Sequence, residues 1–137
     1  MDFEFLLNEN KENKAPKSLQ DLTLGLKQAI IQELNIQEVL PYETALVNRS
    51  MSKLESQIKK VEDLKVTEDN KFISNIMQLD VIRNKYLLKK YLRIRLSKLE
   101  SNVYYVIKNE LVHLLSEAEV EYTKRYVSEI IEASSRR

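Results

Sequence analysis

Few residues of this chain have the types and spacing that chemistry requires. The single histidine, His113, lies in the apolar run 111–115, and no second ligand or nucleophile accompanies it in a recognisable motif. Glu117, Glu119 and Glu121 are close in sequence, but they begin a predicted helix, where the helix dipole favours negative charge. We therefore expect structural roles for these groups, and no catalytic, cofactor-binding or metal-binding residue.

A basic stretch offers a second kind of chemistry, which is contact with nucleic acid. It consists of Lys85, Lys89, Lys90, Arg93, Arg95 and Lys98. Binding to DNA would require these cations on one exposed face, with aromatic rings available for stacking. Only three of them follow i, i+4 spacing, and apolar residues separate the rest. We therefore predict that at least one of Arg93 and Arg95 is partly buried and paired with a carboxylate, with direct DNA contact as the alternative.

The tyrosines concentrate in the second half of the chain, at Tyr86, Tyr91, Tyr104, Tyr105, Tyr122 and Tyr126. A large apolar ring with a polar tip is enriched at protein interfaces, and packing within the chain explains it equally well.

The composition is that of a helical domain. The chain has 137 residues, of which 43% are hydrophobic and 31% charged, with one glycine and two prolines. So few turn residues argue against β hairpins and against the glycine-rich loops that hold phosphates. The chain has no cysteine, a net charge of +1, and no apolar run of the ~18 residues that a membrane span needs. These features predict a non-enzymatic protein of a reducing compartment, without a membrane contact.

Apolar periodicity predicts an all-α, elongated bundle of about five helices around one long central helix. The first helix begins at Ser18, the second has Pro41 in its first turn, the third runs from about Lys71 to Glu100, and the fourth covers Asn102–Leu115. Ser116 and Glu119 form the capping-box pattern that starts the fifth, with Leu115 and Val120 placed as a hydrophobic staple. We predict a flexible tail over 1–17, a helical domain over 18–133 and a short tail over 134–137.

The predicted long helix has two different halves. The first half is amphipathic, and Phe72, Ile73, Ile76, Leu79 and Ile82 share one broad face of it. In the second half, apolar residues from Tyr86 to Leu99 surround the helix, which must then be covered on all sides. Partner chains could complete this cover. The predicted partner interface comprises Tyr86, Leu88, Tyr91, Leu92, Arg93, Arg95, Leu96, Tyr104, Tyr105, Tyr122 and Tyr126.

Three segments resemble one known family. The stretch 83–100 (RNKYLLKKYLRIRLSKLE) is similar to the R-x-x-Y-x-L-x-x-Y-L-R-x-R-L-x-K-I-E pattern in the long helix of the SLD-five-type subunit of the GINS replication complex. Residues 40–43 (LPYE) resemble the start of that family's second helix, and 115–126 (LSEAEVEYTKRY) resemble its L-S-x-E-E-x-x-x-x-x-x-Y helix.

This resemblance implies a nuclear, non-catalytic scaffold in a heterotetramer with PSF-one, PSF-two and PSF-three type subunits. It implies further that the assembly joins the MCM ring and the cell-division-cycle-forty-five protein in the replicative helicase, with weak or indirect contact to DNA. Family members usually continue into a small β-rich domain, which we do not expect in this chain. The competing hypotheses are a DNA-contacting accessory factor that uses residues 85–98, and a generic helical adaptor.

Overall fold

The fold is built from helices, without a β-strand, over the part of the chain that is described. The structure, a computed structural model, describes residues 19–136. Its helices are α1 (Leu19–Asn35), α2 (Thr44–Lys65), α3 (Lys71–Ser101), α4 (Val103–Lys108) and α5 (Glu117–Ser135), with 3₁₀ turns at Glu68–Asn70 and Leu111–Leu114. The predicted all-α bundle of five helices with one long helix is confirmed over this range. The predicted tail over 1–17 and the predicted helix start at Ser18 lie outside the described residues.

The first three helices pack as a bundle in which α1 runs parallel to α3 and α2 runs antiparallel to both. Thr23 of α1 contacts Asn84 of α3, and Glu33 of α1 contacts Arg95 eleven residues further along α3. The core between these helices is made of Leu26, Ala29, Ile30, Val47, Leu54, Val61, Val81, Leu88 and Tyr91. A second cluster of Val39, Leu99 and Val106 lies at the carboxyl end of α3. None of the helices between residues 19 and 136 is both long enough and apolar enough to cross a bilayer.

Gly25 allows α1 and α2 to approach each other closely. A Cβ atom built at this position would lie 3.0 Å from Cδ1 of Leu46, which is shorter than an ordinary van der Waals contact. A glycine inside a helix costs about 1 kcal/mol relative to alanine, and here the space it leaves accommodates the Leu46 side chain.

This chain covers the two halves of α3 to different extents. Its second half is enclosed by this chain, and Tyr86 is the one large apolar residue between 86 and 99 that remains exposed. Its first half leaves apolar side chains on the surface, namely Phe72, Ile73, Ile76, Leu79 and Ile82. The reason is that these side chains lie on the side of α3 opposite to Ser74, Val81 and Leu88, which are buried.

Other apolar residues of the amphipathic helices are also exposed in this chain. They are Leu24, Ile31 and Leu34 of α1, Met51 and Ile58 of α2, and Ile130 and Ile131 of α5. Periodicity identified amphipathic helices correctly, but an apolar stripe broader than the contact with the neighbouring helix leaves its edges in solvent.

Two predicted helix boundaries are wrong. Helix α2 begins at Thr44, so Pro41 precedes it instead of occupying its first turn. The N–H of Tyr42 donates to the Leu114 carbonyl at 2.9 Å, which holds this segment away from α2. The predicted fourth helix is divided into α4 and a 3₁₀ turn, because Glu110 adopts a left-handed φ of 54°.

The start of α5 agrees with the sequence pattern. The Ser116 side chain accepts from the Glu119 N–H at 3.2 Å, and the Glu119 side chain accepts from the Ser116 N–H at 3.1 Å. This reciprocal pair is the predicted capping box. The helix continues to Ser135, two residues into the predicted tail.

We expect Ser116→Ala to lower the free energy of unfolding by about 1 kcal/mol, because one N–H at the start of α5 loses its acceptor. Urea denaturation followed by circular dichroism measures the change. Ser128→Ala is the matched control, since Ser128 lies exposed inside the same helix. Equal midpoints for Ser116→Ala and the parent chain would contradict a stabilising cap.

Candidate functional site: a buried arginine hub

Arg95 is the centre of the most extensive polar cluster among residues 19–136. Its side chain is 0% exposed, and its guanidinium group donates five hydrogen bonds. Two go to the carboxylate of Glu119 at 2.9 and 3.1 Å, and one goes to Glu33 at 2.7 Å. The other two go to the carbonyl oxygens of Leu40 at 2.6 Å and Leu114 at 3.1 Å. Since a guanidinium has five N–H donors, every donor of Arg95 has an acceptor within the chain.

The charges around Arg95 are balanced. Glu33 and Glu119 are 1% and 5% exposed, and the second oxygen of Glu33 pairs with Lys98 Nζ at 2.6 Å. Two cations therefore face two carboxylates; we call Arg95, Glu33, Glu119 and Lys98 the arginine hub. Burial alone would lower the pKa of Arg95, but the hydrogen bond to Glu119 and the charges of Glu119, Tyr91 and Glu33 together outweigh it, so that this pKa is raised.

Two tyrosine rings enclose the guanidinium. The ring centroids of Tyr42 and Tyr91 lie 5.3 and 6.0 Å from the Arg95 Cζ atom, which is within the range of a cation–π contact. The Tyr91 hydroxyl also accepts from the Glu43 N–H at 3.2 Å, immediately before α2 begins. Burial raises the pKa of Tyr91 and that of Tyr42, because it disfavours the phenolate form.

The hub joins segments that are distant in the sequence. Arg95 belongs to α3, Glu33 to α1 and Glu119 to α5, while Leu40 lies between α1 and α2. The Leu114 carbonyl accepts from both Arg95 and the Tyr42 N–H. One side chain thus fixes three helices and two connections in relation to one another.

The structure divides the basic stretch into two groups. Arg95 and Lys98 point into the hub, which confirms the prediction that one of the two arginines is buried and paired with a carboxylate. Lys85, Lys89, Lys90 and Arg93 are exposed. The stretch therefore does not form one continuous basic face for DNA.

The residues of the predicted partner interface occupy three environments. Leu88, Tyr91 and Arg95 are buried inside this chain, and Leu92, Leu96, Tyr122 and Tyr126 are partly buried. Tyr86, Arg93, Tyr104 and Tyr105 are exposed, and Tyr104 is 90% accessible to solvent. The buried residues stabilise the packing of the helices within this chain, and the exposed residues remain a predicted contact surface.

The other candidate residues have local partners. His113 is exposed, and its Nδ1 atom lies 3.3 Å from the Glu110 carbonyl oxygen. Glu121 is exposed and pairs with Arg125 at 3.2 Å, one turn further along α5. Of the three neighbouring carboxylates at the start of α5, Glu119 alone belongs to the hub.

Comparison with known proteins places this arrangement in a family. The sequence model of the Sld5 family, described as the GINS complex protein helical bundle domain, matches residues 48–136. This chain belongs to that family. It is 32% identical over 114 residues to the DNA replication complex GINS protein SLD5 of Arabidopsis thaliana, covering 82% of this chain and 51% of that protein. It is 30% identical over 123 residues to the protein of the same name from Dictyostelium discoideum, covering 85% and 57%. The chain spans about half the length of these curated relatives.

The three segments that resemble the SLD-five-type pattern meet at the hub of this Sld5-family domain. Residues 83–100 supply Tyr91, Arg95 and Lys98, residues 40–43 supply the Leu40 carbonyl and Tyr42, and residues 115–126 supply Glu119. The most recognisable residues of the sequence therefore build the interior of this domain.

Sequence reasoning missed Glu33 and Tyr42. Glu33 occupies the inward register of α1, after Leu26 and Ile30, and a carboxylate on an apolar face indicates a buried cation opposite it. That signal was available in the sequence. The position of Tyr42 had no such signal, because it depends on the contact of a connecting segment with a distant 3₁₀ turn.

We expect Arg95→Ala to destabilise the domain by about 3–5 kcal/mol, because two buried carboxylates lose the cation that compensates them. Lys89→Ala is the matched control, since it removes an exposed cation of the same helix and should change stability by less than about 0.5 kcal/mol. Urea denaturation of both variants measures the difference. Similar small effects would show that the hub contributes little to stability.

We also expect a stability loss in alkali that depends on Tyr91. Because burial raises the pKa of Tyr91 in the folded chain, the unfolded chain ionises first, near pH 10. The contribution of Tyr91 is therefore complete below about pH 10 and is lost as the pH rises through the folded-state pKa.

Free energies of unfolding measured from pH 8 to pH 11 should fall less steeply for Tyr91→Phe than for the parent chain. Tyr104→Phe is the control, because Tyr104 is 90% exposed. Removal of its hydroxyl group should leave the slope unchanged. Identical slopes for all three proteins would contradict a protected phenol at position 91.

Proposed function

We propose that this chain is a non-catalytic scaffold subunit of a GINS-type heterotetramer that acts in DNA replication. The observation that carries the proposal is the use of the family-pattern residues: Arg95 has no free N–H donor, and both hub carboxylates are paired. This polar cluster holds three helices of the domain together. Its polar atoms are buried and already paired, so they are not accessible to a substrate. Membership of the Sld5 family supports the assignment to GINS.

The expected partners are PSF-one, PSF-two and PSF-three type subunits. Through them, the assembly would contact the MCM ring and the cell-division-cycle-forty-five protein in the nucleus. Exposed large side chains support a role in assembly, because contiguous apolar surface typically marks protein–protein contact. We place direct DNA contact second, because the hub already occupies two of the six cations that it would use.

Co-expression with the three PSF-type subunits of the same organism tests the proposal. We expect a stable complex with one copy of each chain, measured by native mass spectrometry. The DNA-binding alternative predicts instead micromolar DNA affinity of the isolated chain that falls steeply with salt. Failure of the four chains to associate would contradict the proposed function.

A further inference from the structure

The outward face of α3 carries an apolar stripe over its first half. Phe72, Ile76, Leu79, Ile82 and Tyr86 follow one another at spacings of four, three, three and four residues, and each is between 46% and 75% exposed. At 100° per residue they lie within a sector of about 120°, along about 21 Å of helix. This is the geometry of a surface that receives one helix lengthwise.

No other element between residues 19 and 136 covers this stripe. The opposite side of α3 carries Ser74, Val81 and Leu88, which are buried, and the last two pack in the core that α3 shares with α1 and α2. The Thr23–Asn84 contact places α1 beside the later part of α3, away from Phe72 and Ile76.

Cations lie along the same side of α3, one within the last turn of the stripe and three beyond it. Arg83, Lys89, Lys90 and Arg93 are exposed, and none of them forms an ion pair with the described part of this chain. Lys90 Nζ lies 5.9 Å from the centroid of the Tyr86 ring, where the apolar and basic regions meet. The face is thus apolar towards the amino end and positively charged towards the carboxyl end of the helix.

We propose that this face, from Phe72 to Arg93, binds an amphipathic helix of a partner chain whose apolar stripe is followed by carboxylates. The apolar residues of that helix cover Phe72 to Tyr86, and its carboxylates pair with Arg83, Lys90 and Arg93. The inference deepens the proposed function, since the partner chain is a subunit of the same assembly. It assigns contact to the first half of α3, which the interface predicted from sequence did not include.

The arrangement of charge distinguishes this occupant from two others. A helix that lies on a membrane has cations beside its apolar residues along its length. Here three of the four cations, Lys89, Lys90 and Arg93, lie beyond the stripe, and Arg83 lies within its last turn. A second copy of this chain that docked through the same face would place its own cations opposite these cations. A helix of a different chain, with apolar residues followed by carboxylates, satisfies both halves of the surface.

The test compares Leu79→Lys with Gln78→Lys in the four-chain complex. Both substitutions add one cation at an exposed position of α3, and only Leu79 belongs to the stripe. We expect Leu79→Lys to weaken assembly about tenfold or more, because the apolar side chain that it removes becomes buried on binding. Gln78→Lys should assemble like the parent chain, and circular dichroism should show that both variants keep their helices and unfolding midpoints.

The charged half is tested by Lys90→Glu, which should weaken assembly more at low salt than at high salt, with exposed Lys59→Glu of α2 as its control. Normal assembly by both Leu79→Lys and Lys90→Glu overturns the inference and leaves the proposed function intact. Failure of the parent chain to assemble overturns both.

Two further measurements concern the other occupants. Sedimentation of the isolated chain that shows a dimer abolished by Leu79→Lys would identify a second copy as the occupant and overturn the inference. Binding to vesicles of anionic phospholipid that Leu79→Lys abolishes would identify a membrane and overturn it too.

Discussion

A guanidinium group can leave water only where its charge and all five of its N–H donors are matched, and the rest of this fold follows from satisfying that condition for Arg95. The hub takes one carboxylate from α1, another from α5, and carbonyl oxygens from two connecting segments. Each partner must arrive at a fixed place, so the desolvation cost of one side chain specifies the arrangement of three helices. Apolar packing alone is less directional, because a hydrophobic contact tolerates sliding and rotation.

The same condition explains features that are irregular by local rules. The left-handed Glu110 and the 3₁₀ turn after it bring the Leu114 carbonyl to both Arg95 and the Tyr42 N–H. The segment before α2 stays outside the helix for the same reason, despite a proline that would suit a first helical turn. Glu119 has two roles, since one of its oxygens accepts from the Ser116 N–H and from Arg95. One carboxylate therefore both caps the start of α5 and connects α5 to Arg95 of α3.

What the sequence predicted well depends on local spacing. The long helix was predicted over Lys71–Glu100 and is observed over Lys71–Ser101, because it contains neither proline nor glycine and keeps its periodicity throughout. The cap of α5 was recognisable for similar reasons. The pairing of Arg95 with Glu33 was not, because these residues are 62 positions apart and nothing local specifies which helices meet. The exposure of Phe72 and Ile76 was unpredictable for the converse reason: periodicity identifies an apolar face but not whether this chain supplies its cover.

The two halves of α3 have different roles: the later half belongs to the interior of the fold, and the earlier half carries the exposed stripe. Its later half is fixed from inside by Tyr91, Arg95 and Leu99, all of which are 0% exposed. Its earlier half is held mainly by α2 and extends beyond the cover of α1. A helix anchored at one end and exposed at the other presents its apolar stripe at a defined angle, without the entropic cost of ordering a flexible segment on binding. The buried arginine thereby contributes to association without touching a partner, because it holds in place the helix whose other half carries the docking surface.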